Sequence, residues 1–487
     1  MPRYAALYLP LFALAILSPR SVAAQDIGPL VELSRPNPVG SCNTGFSPFG
    51  YTWSTDHATE PFIAANPINP SNVVAAWFDG LWQDMIAGVS FDGGQSWHQV
   101  QIPLTLCTGG SFPGTADPWL SFGPDGSLYA AAITWNSNAW ADRQIVVSKS
   151  ADGGLHWSAP AVIPGSLTLD PPADHPSITA DPTDAKFIYA IWNGNSAPHT
   201  GAAMFSRSTD GGVTWEPTRA IVQMASQSYI AFSQVFPLPN GTLVDVFGTY
   251  AEQPNKPITF TNLQVLRSSD HGQTWSAPSN PVAMTPLYLP NGASLVVDPE
   301  TGQFVLDLTN PSFAVDRQSG NLYAVWEDGR FSNFQYNDIA LSMSADGGST
   351  WSAPVRVNQT PLTIPPLNRQ ASFPAVAVAA NGAIGVSYYD FRFNDPNPGL
   401  PTDRWLVQCT PSPKNPASNP GCWRNEVRLT KTSFKLEAVV PRAPGGDFFL
   451  GDYFGLAAAG DNFVAPFTAV DSQNITSIFA RRVGSRP

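Results

Sequence analysis

The sequence is short of charge, of histidine and of cysteine, and each shortage removes a class of protein. Asp, Glu, Lys and Arg make up only 13% of the 487 residues. Acids outnumber bases 37 to 25, and the resulting net charge of -12 argues against nucleic acids and anionic membranes as partners. The six histidines include no pair at metal-binding spacing, and the four cysteines are not spaced as zinc ligands. No glycine loop sits at a strand–helix junction to cradle phosphate, and there is no Gly-x-Ser-x-Gly nucleophile elbow. Beyond the first two dozen residues no stretch is long and apolar enough to cross a bilayer.

The one marked apolar run, residues 8–17, follows Arg3 and precedes Ser21-Val22-Ala23-Ala24. A basic start, an apolar middle and a small-residue end read as a secretory signal peptide over residues 1–24, which leaves a secreted mature chain of 25–487. An oxidising compartment suits the four cysteines. Cys409 and Cys422 bracket a Pro/Asn/Ser-rich loop and are expected to close it, which leaves Cys42 and Cys107 to fasten the N-terminal segment to the first repeat.

Aromatic and turn-forming residues are plentiful: 15 Trp, 28 Phe, 39 Gly and 48 Pro suit many short strands joined by tight turns. One frame, Ser-x-Asp-x-Gly-x-x-Trp, organises them. It occurs at Ser90/Asp92/Gly94/Trp97, Ser150/Asp152/Gly154/Trp157, Ser208/Asp210/Gly212/Trp215, Ser268/Asp270/Gly272/Trp275 and Ser344/Asp346/Gly348/Trp351, with the aspartates 60, 58, 60 and 76 residues apart. In such a frame Asp accepts backbone N–H groups, Gly supplies positive φ and Trp plugs the turn onto a sheet. The period suits a unit of about four strands that cannot bury its faces alone.

The frame resembles the Asp-box, or BNR repeat, of the sialidase superfamily of β-propellers. The resemblance implies an all-β fold in which four-stranded blades surround an axis as a single domain over 25–487. Counting apolar strands between turns gives seven blades. The sixth has lost its Asp-box to the Cys409–Cys422 loop, an insertion at 283–308 lengthens the fourth interval, and the strand at 30–35 completes the last blade and closes the ring. Six blades with a stray sheet is the alternative.

In a propeller the loops entering the innermost strands, and those leaving the second strands, gather on one face. Aligned repeats put Glu60, Asp117, Asp174, His175, Asn310, Phe373, Asp452 and Tyr453 at the first set of positions. Asp79, Asp84, Trp135, Asn193, Tyr250, Glu327, Asp328, Arg330, Asp390 and Arg392 fall at the second. The Asp-boxes belong on the other face. Glu60, Asp117, Asp174 and Asp452 converging on one funnel cannot all ionise cheaply, which prepares an acid/base pair. The alternative is that they cap inner-strand N–H groups. Arg330 and Arg392 suit a substrate carboxylate, or salt bridges to Asp328 and Asp390. His175 suits a proton carrier or a hydrogen-bonded structural role, and Trp135 a sugar-stacking platform or a packing residue.

The resemblance to sialidases further implies Tyr453, within Gly451-Asp452-Tyr453-Phe454-Gly455-Leu456, as a nucleophile. It also likens Trp326-Glu327-Asp328-Gly329-Arg330 to the family's sugar-binding segment and puts Asp84 at an equivalent place in the first blade. The chain departs from that family at Thr59-Glu60-Pro61, where sialidases open with Arg-Ile/Leu-Pro, so the arginine triad is not carried over. The expected function is a secreted carbohydrate-active enzyme, a glycoside hydrolase acting on a glycan, monomeric and without a cofactor unless calcium occupies the funnel. Two alternatives remain: a polysaccharide lyase on uronate-containing chains, with Arg330 or Arg392 neutralising the uronate and His175 or Tyr453 moving the proton, and a non-catalytic glycan- or protein-binding propeller.

Overall fold

A computed structural model describes residues 26–47, 56–80, 82–167, 172–195, 200–251, 259–287, 296–305, 310–441 and 447–485. Residues 1–24, expected to be a signal peptide, lie outside the described residues, as do parts of the 283–308 insertion. Seven antiparallel sheets follow one another along the chain. Their innermost strands are Ala58–Ala65, Thr115–Phe122, Asp174–Ala180, Ser228–Pro237, Ser312–Val315, Ala371–Val378 and Ala457–Ala459, and these number blades 1 to 7. The chain is a seven-bladed β-propeller. Ile27–Glu32 pairs antiparallel with Thr476–Gly484 and becomes the outer strand of blade 7, closing the ring as expected but three residues earlier than the sequence suggested. Both disulfides, Cys42–Cys107 and Cys409–Cys422, are formed as anticipated. Among the described residues no helix is long and apolar enough to cross a membrane.

The scarcity of charge has a direct structural reason. A blade's middle strands are covered on both faces by neighbouring blades, so Val73–Asp79, Leu128–Trp135 and Leu322–Asp328 are buried at every position. Trp77, Trp192 and Trp326 occupy matching places in second strands, Trp135 ends the second strand of blade 2, and all four are fully buried. Blade 6 departs from the plan by adding a fifth strand, Phe434–Lys435, beside Pro401–Cys409.

The Asp-boxes form the turns between third and fourth strands. In the box of blade 3 the Asp210 carboxylate accepts from the backbone N–H of Val213 (3.0 Å) and Thr214 (2.9 Å) and from the Thr214 hydroxyl (2.6 Å). Ser208 Oγ donates to Asp210 (2.8 Å) and accepts from Gly212 N (2.8 Å). The bonds from Thr214 hold the Asp210 carboxyl down to about 2, so the turn stays anionic at any physiological pH. The third small residue of each box also meets the preceding blade: Gly154 faces Val74, Gly212 faces Tyr129 and Gly272 faces Phe205.

Blade 7 differs from expectation at its innermost strand, which is short. Residues 453–456 run alongside blade 1 instead: Gly455 N donates to Pro61 O (2.9 Å) and Asp452 N to Glu60 Oε1 (2.9 Å). Gly451 makes this approach possible, since a Cβ there would lie 2.8 Å from Glu60 Cγ.

Candidate functional site

Five innermost strands each carry one residue in the left-handed region: Glu60 (φ 54°), Asp117 (55°), His175 (47°), Phe232 (47°) and Phe373 (53°). Each is a β-bulge, marked by a register shift against the second strand, as between Thr59 and Phe62 and between Ala116 and Trp119. Non-glycine residues seldom adopt this backbone, and bulges serve to re-aim a side chain. Proline follows four of the five, at Pro61, Pro118, Pro176 and Pro374, where a missing N–H costs nothing because the ladder is already interrupted. The sequence alignment of the repeats had found four of these positions, all but Phe232, and the bulge re-aims the side chain at each.

The capping role anticipated for these acids is present. Asp117 Oδ2 accepts from His175 N of the next blade (3.0 Å), Glu60 Oε1 from Asp452 N, and Glu327 Oε1 from Phe373 N (2.9 Å). Carboxylates therefore tie neighbouring blades together around the axis. Three of the acids also surround His175. Its Nε2 is 3.6 Å from Asp452 Oδ2, its Nδ1 is 4.0 Å from Asp174 Oδ2 and 3.3 Å from the Asn193 amide nitrogen, and its ring stacks on Phe232 at 4.6 Å. One ligand-type atom each from Asp117, Asp174 and His175 lie within 4.8 Å of one another. Two carboxylates and an imidazole are groups that hold cations. A calcium ion, which prefers oxygen ligands, would have to draw further oxygens from Asp452 or water.

Electrostatics divides the cluster. Burial pushes the Asp117 carboxyl up, and Asp174 and Asp452 push it further, to about 7, against the pull of His175 and Arg143. Burial opposes charge on His175, but Asp174, Asp452 and Asp117 outweigh it and lift the imidazole to about 9. At neutral pH the cluster thus holds an imidazolium and an Asp117 close to half protonated. Asp174 is the open member, with 37% of its side chain exposed, and Arg143 N–H reaches its Oδ1 at 3.4 Å.

Arg143 is the residue that sequence reasoning missed. It enters the third strand of blade 2 directly opposite Trp135, a register the alternation of strands would have shown. Its guanidinium lies over the Trp140 ring at 4.3 Å. Phe232, beneath His175, was missed as well, because nothing in a phenylalanine signals a site.

Below the acids lies an aromatic layer. Phe62 stacks on Trp119 at 3.8 Å, and Tyr453 lies 5.6 Å from Trp119 and 5.0 Å from Phe232. The Tyr453 hydroxyl donates to Pro118 O (2.8 Å). Burial together with Glu60, Asp117, Asp452 and Asp174 pushes its pKa well above the usual value, so it is a proton donor here.

The remaining candidates stand apart from this cluster in their contacts. Arg330 Nε pairs with Asp328 (2.8 Å), and its terminal nitrogen donates to Ala283 O (2.6 Å). Arg392 is held by Asp390 (2.7 Å) and Glu426 (2.6 Å) and lies over Trp405 at 3.7 Å. Trp135 is wholly buried between Phe46 (4.9 Å) and Trp140 (5.8 Å), so a sugar reaches its face only if one of them moves. Asp84 is buried, accepts from the Thr105 hydroxyl, and is raised by burial to about 6.

Residues 71–386, which span all five Asp-boxes, match the family of BNR repeat-like domains. The chain belongs to that family. Solved structures similar to this BNR propeller include a protein of unknown function from Dyadobacter fermentans, at 13% identity over 89% of this chain and 97% of that one, with a TM-score of 0.44. A Hadza microbial sialidase is 16% identical over 68% of this chain and 63% of its own (TM-score 0.44). An α-L-arabinanase of Penicillium chrysogenum, complexed with arabinobiose, is 13% identical over 89% and 94% (TM-score 0.46). At such identities the likeness is one of fold. No curated protein matches the chain.

Proposed function

We propose that this propeller is a glycoside hydrolase that works at the axial cluster, with Asp117 as general acid and base and Asp174 as nucleophile. The observation that carries the reading is the pairing of a carboxyl raised to about 7 with an open, arginine-paired carboxylate whose nearest atom lies within 4.8 Å of it. A general acid serves best with a pKa near the working pH, and a nucleophile must be ionised. Arg143 lies 3.4 Å from Asp174 and His175 lies 3.6 Å from Asp452, so each of these two carboxylates has a cationic neighbour. The chain thereby supports one proton donor beside one anion.

In this reading Asp174 attacks the anomeric carbon as Asp117 gives its proton to the leaving oxygen. Water then cleaves the glycosyl ester, its proton returning to Asp117. Two carboxyl groups this close leave no space for the water of an inverting mechanism, which needs a separation of roughly 6.5–9.5 Å. The product should retain configuration. Tyr453, a donor locked onto Pro118 O, walls the site. The sugar should be neutral: Arg330 and Arg392 are already paired with carboxylates, and the mouth is acidic, so an anionic sugar is repelled.

The test is hydrolysis of a panel of neutral aryl glycosides and plant and microbial polysaccharides. On the substrate accepted, Asp117→Asn and Asp174→Asn should each lower kcat by roughly 100-fold or more, and Tyr453→Phe by less than about tenfold. The alkaline limb of kcat/KM should fall near pH 7, as Asp117 loses its proton. Hydrolysis that survives both aspartate substitutions would sink the reading.

A further inference from the structure

Beneath the aromatic layer the axis opens again. A cavity of about 450 Å³ runs from Phe62, Trp119, Phe232 and Tyr453 to the turns that join first to second strands, on the face opposite the acid cluster. Its wall mixes aliphatic side chains, Ile63, Leu120, Ile178, Val315, Val376 and Leu456 among them, with polar ones such as Asn66, Thr179 and Asn310. None of Glu60, Asp117, Asp174, His175 or Asp452 reaches it.

Among the described residues two charged side chains line this space, Asp316 and Arg317, side by side in the turn after Ser312–Val315. Asp316 is engaged within its own turn: Oδ1 accepts from Gln318 N (2.9 Å) and Oδ2 from Ser319 Oγ (2.6 Å). Arg317 makes no ion pair and no hydrogen bond among the described residues; the residue keeps contact with solvent, while burial of its guanidinium in the surrounding protein lowers its pKa. The aromatic-floored cavity thus presents one guanidinium that has no hydrogen-bonded partner. Farther in, the Gln234 side chain also lines the wall.

We propose that this cavity binds a small amphipathic carboxylate, its apolar body against the aliphatic wall and aromatic floor and its head group on Arg317. Size, wall and charge agree. The volume falls within the roughly 300–1,000 Å³ of pockets that enclose small molecules. A guanidinium fork matches a carboxylate in two parallel hydrogen bonds. One cation satisfies one negative charge, which selects a monoanion over a polyanion.

Isothermal titration of the full chain with decanoate, below its micelle concentration, tests the proposal, with decanol as the uncharged counterpart. Decanoate should bind once per chain, quenching tryptophan fluorescence through Trp119, and decanol at least tenfold more weakly. Arg317→Gln changes an exposed position; it should weaken decanoate at least tenfold and leave decanol and the melting midpoint unchanged. Ala380→Trp, at the exposed rim of the cavity, should block both ligands. Absence of saturable decanoate binding, or equal binding by Arg317→Gln, overturns the proposal. If Ala380→Trp fails to fold, the Arg317→Gln comparison alone decides.

Discussion

Asp245 is a buried acid with no part in the axial cluster. It is fully buried in the second strand of blade 4, one oxygen accepting from Ser233 Oγ (2.7 Å) and the other without a partner. Burial pushes its carboxyl up to about 7. A raised folded-state pKa means that folding retains a proton the unfolded chain would release. Stability is full below the ordinary carboxyl range and declines as pH rises through about 4 to 7. Asp245→Asn keeps the bond to Ser233 and removes the titration. It should stabilise the protein at pH 8 by up to about 4 kcal/mol, at 1.36 kcal/mol per unit, and by almost nothing at pH 4. Urea denaturation at the two pH values measures this, and a gain independent of pH would contradict it. The axial residues show what was legible at this scale. Glu60, Asp117 and His175 each precede a proline where an inner strand begins, so aligned repeats revealed them. The pairings of Arg330 with Asp328 and of Arg392 with Asp390 span two residues and were open to the same reading. Glu426, which also holds Arg392, comes from 34 residues away, and no local pattern foretells it.

Turns carry the architecture at the level of the element. Gly212 has φ 84°, and a Cβ there would lie 2.8 Å from a Tyr129 ring carbon of the neighbouring blade. Glycine is needed for the backbone angle and for the approach of one blade to the next. Gly212→Ala should therefore cost more than the roughly 1 kcal/mol of an unfavourable backbone alone, on the order of 2–4 kcal/mol. Guanidinium denaturation measures the loss, and Val213→Ala, at an exposed tip of the same turn, should lose little. Because this requirement recurs in every box, the five copies spelled out the repeat and most of the blade count. Blade 7 has no box, and the residues before its short inner strand run along blade 1, so its boundary was the least legible. Strand periodicity reports which face is buried, whereas the choice between two possible neighbours depends on Gly451 and on a carboxylate nearly 400 positions away.

Across the whole molecule, closure joins the two ends of the sequence. Ile27–Glu32 supplies hydrogen bonds to Thr476–Gly484, and Leu33 and Ser34 continue the contact with Ile478. Deleting residues 26–32 would leave Thr476–Gly484 as an open edge, lower the melting midpoint by roughly 5 °C or more, and promote self-association. Calorimetry and light scattering would show both, and an unchanged midpoint would mean that the ring needs no such fastening. The same geometry imposes an order in time. During synthesis the segment that must complete the final sheet emerges more than four hundred residues before its partner. It has to wait, unpaired, for more than four hundred residues to follow. A propeller closed in this way cannot finish folding from a truncated translation product, and chaperones that shield its waiting end should matter more to its yield than those acting on the middle of the chain.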